Sequence, residues 1–225
     1  MTSIKLSTVF FDLDGTLLDT AHDLLIALNY VLDKNGYAEI TLTELLPLIS
    51  LGSKKIINHL LKQNITHPKL EQLRTQFITA YNKFGHQHTD FFPGIKSVLN
   101  FLNTNSIAWG IITNKTTALT LPIAEFLNFS DLKCQTIVCA DTTEHAKPHS
   151  APMLKACSDL QVDPKNCIFI GDAKTDIIAG RNVGMKTILA GYGYIPKDEN
   201  PLSWGADYKV DSVMELLQLL PSLIQ

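Results

Sequence analysis

Residues 8–16 read Thr8-Val9-Phe10-Phe11-Asp12-Leu13-Asp14-Gly15-Thr16. An apolar, β-favouring run stops abruptly at two acids and a glycine, the pattern of a buried strand that ends in a tight turn. Downstream, Ile107-Ala108-Trp109-Gly110-Ile111-Ile112, Thr136-Ile137-Val138-Cys139, Ile168-Phe169-Ile170 and Lys186 to Ala190 form further short runs of strand type. Helical stripes lie between them: Ile95, Val98, Leu99 and Leu102, then about 118–127, a helix opened by Ser150 and Pro152, and Thr175 to Val183 closed by Gly184. A last helix begins at Asp211–Glu215, with Ser212 and Glu215 at capping-box spacing. Alternation of short strands and helices argues for an α/β chain, a parallel sheet with helices on both faces.

The segment after the first strand differs. Leu24, Leu25, Leu28, Val31 and Leu32 mark a helix over Ala21–Lys34, with Gly36 as its stop. Ile56, Ile57, Leu60 and Leu61 suggest another, and Leu70, Leu73, Phe77, Tyr81 and Phe84 a third. Residues from about 19 to 88 therefore read as all helix, without a strand. The expected organisation is a Rossmann-like core, 1–18 and 89–225, with a helical cap inserted at 19–88.

Composition excludes several functions. A hydrophobic content of 45% and a formal charge of -3 suit an ordinary globular protein, and no basic face invites nucleic acid. Nothing approaches the roughly 20 apolar residues of a membrane helix, and Met1 to Leu6 lack a signal-peptide stretch, so a cytoplasmic location is expected. Cys134, Cys139, Cys157 and Cys167 show no C-x-x-C spacing and read as reduced thiols. His86 and His88 read as a polar hinge rather than a metal site. The sequence carries no signal of oligomeric state.

Ligands of an open parallel sheet bind at the carboxyl ends of its strands. Polar groups follow four of the expected ends: Asp12 and Asp14, Thr113 and Asn114, Lys147, and Asp172 with Asp176. Carboxylates meeting in one crevice repel unless a cation joins them, and Mg2+ is a hard ion suited to oxygen ligands and an incoming phosphate. Lys147 and the Thr113 hydroxyl fit phosphate oxygens.

Four segments in this order, Asp12-Leu13-Asp14-Gly15-Thr16, Thr113-Asn114, Lys147-Pro148 and Gly171-Asp172-Ala173-Lys174-Thr175-Asp176, resemble the signatures of the haloacid dehalogenase superfamily over essentially the whole chain. The helical insert resembles that superfamily's small cap. The resemblance implies a Mg2+-dependent phosphatase acting on a small phosphorylated metabolite. Asp12 would attack phosphorus to form an aspartyl-phosphate, and Asp14 would serve as general acid and base. Asp12, the Asp14 carbonyl and Asp172 would hold the metal, with Asp176 supporting Asp172 or a metal-bound water. Thr113, Asn114 and Lys147 would bind the transferring phosphoryl group.

Within the superfamily the chain looks most like the phosphoglycolate phosphatase branch. Trp109-Gly110 with Asn114-Lys115, Gly193-Tyr194-Ile195, Asp198 to Pro201 and Trp204 to Asp207 resemble the N-acetylmuramic acid 6-phosphate phosphatases. Leu51-Gly52-Ser53-Lys54-Lys55 resembles the substrate-specificity loop, where Lys54 or Lys55 would reach an anionic part of the substrate; exposed lysines at a helix start are the other reading. Asp19 and Asp23 read as hinge and helix-start acids. Thr16 is either a turn residue or a phosphate contact, and Lys174 a solvated side chain. Trp109 reads as packing, and Trp204 as packing or a substrate platform. A phosphosugar mutase would share the aspartyl-phosphate. A receiver domain would share the acids, Thr and Lys, but needs neither the insert nor the second acid of Asp12-Leu13-Asp14.

Overall fold

The computed structural model describes residues 6–61 and 65–224. Strand β1 (Thr8–Phe11) is buried along its whole length and runs straight into Asp12. The chain then forms β2 (Leu18–Asp19) and returns through β3 (Asp90–Phe91), an antiparallel pair that makes a narrow neck. Between them lie α1 (Ala21–Lys34), α2 (Leu42–Leu45), a 3₁₀ turn over Leu46–Leu51, α3 (Ser53–Leu60) and α4 (His67–Phe84). Helix α1 packs along α4, with Leu24, Leu28, Val31 and Leu32 meeting Leu73, Phe77 and Tyr81 in one apolar cluster. Asp19 falls in β2, so the strand-free segment expected from residue 19 is one residue too long at its start.

After the neck the elements are α5 (Ile95–Thr104), β4 (Ala108–Ile112), α6 (Thr117–Phe126), β5 (Ile137–Val138), α7 (Ala151–Leu160), β6 (Cys167–Gly171), α8 (Lys174–Asn182), β7 (Lys186–Ala190), β8 (Tyr208–Val210) and α9 (Val213–Leu223). The sheet has the order β5-β4-β1-β6-β7-β8 and every neighbouring pair is parallel. From β1 the chain builds outward through β4 and β5, then crosses back to β6 on the other side. That reversal places the switch point of the sheet at the end of β1.

Period-2 alternation sorts the strand residues onto two faces. Val9, Phe11, Ile111 and Ile170 join Leu99 of α5, Ile123 of α6 and Leu216 of α9. Phe10, Ile112, Val138 and Phe169 join Met153 and Ala156 of α7 and Ala179 of α8. Both faces are covered, which is why the strands are apolar throughout rather than alternating. Burying each such side chain contributes about 1.5–3 kcal/mol.

Three local expectations change. The run at 136–139 pairs only over Ile137–Val138. The edge strand β8 has no counterpart in the sequence reading: three residues, with Lys209 exposed, carry too little pattern. At α9 the Ser212 Oγ accepts from the Glu215 N–H at 3.2 Å, but the Glu215 carboxylate accepts from the Asp211 N–H at 2.8 Å, so the capping box is only half closed.

The neck is fastened by Asp23 in the first turn of α1. Its carboxylate accepts from the His88 N–H at 3.1 Å and from Thr89 Oγ1 at 2.7 Å, and pairs with His88 Nδ1 at 2.9 Å. Burial works against the charge, but hydrogen bonds from Thr89 and His88 outweigh it and hold Asp23 below the ordinary carboxylate range. Its stabilisation is therefore complete above the unfolded value of 3.8 and is lost as pH falls through the lower folded value. Asp23→Ala strips the Thr89 and His88 donors of their partner and should cost about 2 kcal/mol. Urea unfolding should show that loss as a constant difference between pH 5 and pH 8.

Candidate active site

Asp12 leaves β1 at the switch point, where its backbone N–H donates to the Ile170 carbonyl at 2.8 Å. Asp172 follows β6, and Asp176 stands in the first turn of α8, accepting from the Ala173 N–H at 3.0 Å. Carboxylate oxygens of Asp12, Asp172 and Asp176 all lie within 4.8 Å of one another, and all three residues are buried. Such an approach demands a small backbone. At Gly15, with φ +86°, a Cβ would sit 2.2 Å from Asp172 Oδ2, and at Gly193 one would sit 2.3 Å from the Asp172 Cβ.

Lys147 is the counter-charge. Its Nζ donates to Asp12 Oδ1 at 2.8 Å and to the Ile112 carbonyl at 2.7 Å. It also lies 2.8 Å from Asp176 Oδ1, an ion pair too poorly angled to be a hydrogen bond. Asn114 sets the lysine in place: its Oδ1 accepts from the Lys147 N–H at 3.0 Å and its Nδ2 donates to the Lys147 carbonyl at 3.1 Å. The Asn114 side chain, expected on phosphate, is thus engaged with backbone. Thr113 is buried, and its Oγ1 accepts from the Lys115 N–H at 3.1 Å.

Asp14 faces away from this trio. Its carboxylate accepts from Thr20 Oγ1 at 2.5 Å and from Lys115 Nζ at 3.0 and 3.3 Å. Asp172 takes its Oδ1 bond from Thr16 Oγ1 at 3.0 Å and its Oδ2 bond from the Tyr194 N–H at 2.7 Å. Thr16 is therefore a carboxylate partner, the role neither of its two readings gave it. Lys115, Thr20 and Tyr194 were missed as site residues. Tyr194 and Lys115 stood in segments marked only for their resemblance, and no spacing rule ties any of the three to an acid. Trp204 is buried against Ile177 and Leu189, a packing group, and Lys174 is exposed. Lys54 pairs with Glu71 at 2.8 Å and Lys55 is exposed; neither lines the cavity beside Asp14.

The electrostatics ask for a cation. Burial, reinforced by Asp176 and Asp14 and opposed by Lys147, pushes Asp12 up to about 7, and burial with Asp12 and Asp176 pushes Asp172 well above the carboxylate range. Burial alone would lower Lys147, yet Asp12 and Asp176 raise it and keep it charged. Fully ionised, Asp12, Asp14, Asp172 and Asp176 would set four negative charges against the two positive ones of Lys115 and Lys147. A divalent cation would cancel that excess, and an all-oxygen donor set is what Mg2+ prefers.

A sequence model of haloacid dehalogenase-like hydrolases matches residues 9–190, which include all four acids and both lysines. This chain belongs to that family. The N-acetylmuramic acid 6-phosphate phosphatase of Pseudomonas aeruginosa is 33% identical over 220 residues, 98% of this chain and 97% of that protein. A phosphoglycolate phosphatase of Xylella fastidiosa is 35% identical over 209 residues, 91% of this chain and 88% of that one. Among solved structures, a predicted phosphoglycolate phosphatase from Haemophilus somnus superposes with a TM-score of 0.86 at 25% identity, covering 98% of this chain and 99% of its own. The family's α/β core with an inserted helical unit is the architecture described above.

Crowding at Asp12 has a measurable sign. Because its folded value is raised from 3.8 to about 7, the folded state binds the extra proton and stability falls as pH rises through that window. In chelator, the wild-type melting temperature should therefore drop between pH 4.5 and pH 7.5 relative to that of Asp12→Asn. Adding Mg2+ at pH 7.5 should raise the wild-type value. An identical pH profile for the two proteins would remove the repulsion argument.

Proposed function

We propose that this chain is a Mg2+-dependent phosphomonoesterase that works through an aspartyl-phosphate on Asp12. The convergence of the buried Asp12, Asp172 and Asp176 carboxylates around Lys147 carries the reading. Asp12 and Asp172, with the Asp14 carbonyl, would hold the ion, and Asp176 would brace the site. The bound ion would neutralise phosphate oxygens and orient the phosphoryl group.

In the first half-reaction an Asp12 carboxylate oxygen forms a bond to phosphorus while the ester P–O bond breaks. The departing alkoxide takes a proton from Asp14. In the second, water attacks the same phosphorus, Asp14 takes the water proton, and the acyl-phosphate P–O bond breaks to return Asp12 and release inorganic phosphate. Lys147 and the Thr113 hydroxyl supply positive charge and a donor to the phosphoryl oxygens, and Asn114 holds Lys147 on target. Transfer of this kind depends chiefly on positioning and charge compensation.

We assign 1–18 and 89–225 to the catalytic core and 19–88 to a cap, in a cytoplasmic enzyme. Beside Asp14 the insert leaves a cavity of about 20 Å³, room for a single water. The Ser50 carbonyl lies 3.5 Å from Asn114 Nδ2, so the insert touches the second signature directly. Loading a substrate therefore requires the cap to swing off the core about the β2–β3 neck. Of the two relatives' substrates, we favour N-acetylmuramic acid 6-phosphate over 2-phosphoglycolate. The supporting observations are the loops at 193–207 and a match running over 98% of this chain.

A panel of phosphomonoesters with Mg2+, read as released phosphate, tests the activity. Asp12→Asn should lower kcat at least about 1,000-fold with an unchanged circular dichroism spectrum. Excess chelator should silence the wild type, and Ca2+ should restore it poorly, because its looser shell misaligns the attacking oxygen. N-acetylmuramic acid 6-phosphate should show a kcat/KM at least equal to that of 2-phosphoglycolate on the same preparation. A ratio strongly favouring phosphoglycolate would reverse the substrate choice and leave the phosphatase standing.

A further inference from the structure

Helix α1 starts without the cap its sequence offers. Thr20 stands at the N-cap position, where a threonine has extended backbone and its oxygen accepts from the second or third helical N–H. Neither feature is present. Thr20 has φ -109° and ψ -2°, a helical conformation, and its side chain makes no bond to the helix. Its Oγ1 donates to Asp14 Oδ1 at 2.5 Å instead. Thr20 and Ala21 are both buried, so the N–H groups at this helix start need a partner from elsewhere.

That partner is Tyr194, which follows β7. Its hydroxyl accepts from the Thr20 N–H at 2.9 Å and the Ala21 N–H at 3.2 Å, and donates to Asp19 Oδ1 at 2.6 Å. A phenolic hydroxyl has one proton and two lone pairs, and here all three are engaged. Two consecutive N–H groups converge on one oxygen because Thr20 is helical; extended backbone would turn them apart. The ring reaches this place by passing over the Asp14-Gly15 turn, where a Cβ on Gly15 would stand 2.8 Å from Tyr194 Cδ2. At its other end the Tyr194 backbone N–H donates to Asp172 Oδ2 at 2.7 Å. The hydroxyl is therefore presented by a part of the core fixed independently of α1.

We infer that Tyr194 is a positioning residue for Asp14: its hydroxyl pins Thr20 in the helical conformation that aims Oγ1 at the Asp14 carboxylate. The inference rests on the phosphomonoesterase reading, in which Asp14 protonates the departing alkoxide. Asp14 has a second donor in Lys115 Nζ, at 3.0 and 3.3 Å, but that group rides on a flexible four-carbon stem. Thr20 is short and β-branched, stiff at its first side-chain torsion, so the direction of the carboxylate comes from Thr20. Without the Tyr194 hydroxyl, two buried N–H groups lose their acceptor. Thr20 then relaxes to the extended conformation of an ordinary N-cap, and its Oγ1 turns from Asp14 to the helix.

Tyr194→Phe keeps the ring and the backbone N–H on Asp172 and removes only the hydroxyl. The readout is the ratio of kcat/KM for an alkyl ester to that for p-nitrophenyl phosphate, whose leaving group needs little protonation. The alkyl ester is N-acetylmuramic acid 6-phosphate or 2-phosphoglycolate, whichever the wild type accepts. Thr20→Val should lower the alkyl-to-aryl ratio about 10-fold and Tyr194→Phe about 3- to 10-fold. The double variant should fall no further than Thr20→Val alone, because Tyr194 acts through Thr20. Asp19→Ala, at an exposed position, removes the acceptor of the Tyr194 proton and should shift the ratio the same way by about twofold; it replaces Tyr194→Phe if that variant does not fold. An unchanged ratio, equal losses for both esters, or losses that multiply in the double variant would overturn the inference. If wild type releases phosphate from neither ester, the phosphatase reading fails, and a crystal structure of Tyr194→Phe or Asp19→Ala decides the positioning. Thr20 Oγ1 moved off Asp14 supports it; Thr20 Oγ1 still on Asp14 overturns it.

Discussion

Four carboxylates buried at one end of a parallel sheet repel one another, and the rest of the molecule is arranged around containing that repulsion. Lys147 answers Asp12 and Asp176 together, and its own position is fixed by Asn114 through both backbone polar groups. Lys115 answers Asp14 separately. Two ammonium groups cannot neutralise four acids in a medium where charge is weakly screened. Burial first, and this deficit with it, raises Asp12 and Asp172, and a divalent ion arriving with a phosphate would relieve both.

The fold supplies this crowding cheaply. Parallel strands pressed between two helical layers end at a common level, so residues far apart in sequence reach one crevice without long side chains. Close approach is bought with absent side chains at Gly15 and Gly193, both of which would collide with Asp172 if they carried a Cβ. The two lysines divide the site into halves. Lys147 pairs with Asp12 and Asp176 in one half, and Lys115 pairs with Asp14 in the other.

The strands β1, β4, β6 and β7 were legible because strands covered on both faces must be apolar from end to end. The convergence of Asp12, Asp172, Asp176 and Lys147 followed from their places after those strands. Edge strand β8 was not legible, since a three-residue strand with an exposed Lys209 has too little burial to leave a pattern. Lys115 was hidden for a different reason. Lys115 entered only within a resemblance, and nothing in its spacing shows that α4 lays Tyr81 beside it. Asn114 was read as a phosphate ligand, but amide groups pair with backbone as readily, and only the approach of the Lys147 segment decides which. For Lys54 and Lys55 two readings stood open, a substrate contact or exposed lysines at a helix start; Lys54 pairs with Glu71 on α4 and Lys55 is exposed.

Tyr194 ties two distant parts of the fold. Its backbone N–H donates to Asp172 Oδ2, and its hydroxyl donates to Asp19 Oδ1 at 2.6 Å while accepting from the Thr20 and Ala21 N–H groups at 2.9 and 3.2 Å. Those three residues are the outgoing half of the neck and the start of α1. A rigid aromatic ring thus acts as a tie-rod between a carboxylate at the floor of the crevice and the neck of the helical insert. If the insert turns about the neck as proposed, a shift of Asp172 toward a bound charge would pull on the neck, and a rotation there would be felt at the carboxylate. Charge at the floor and the attitude of the insert would then be coupled through this one residue.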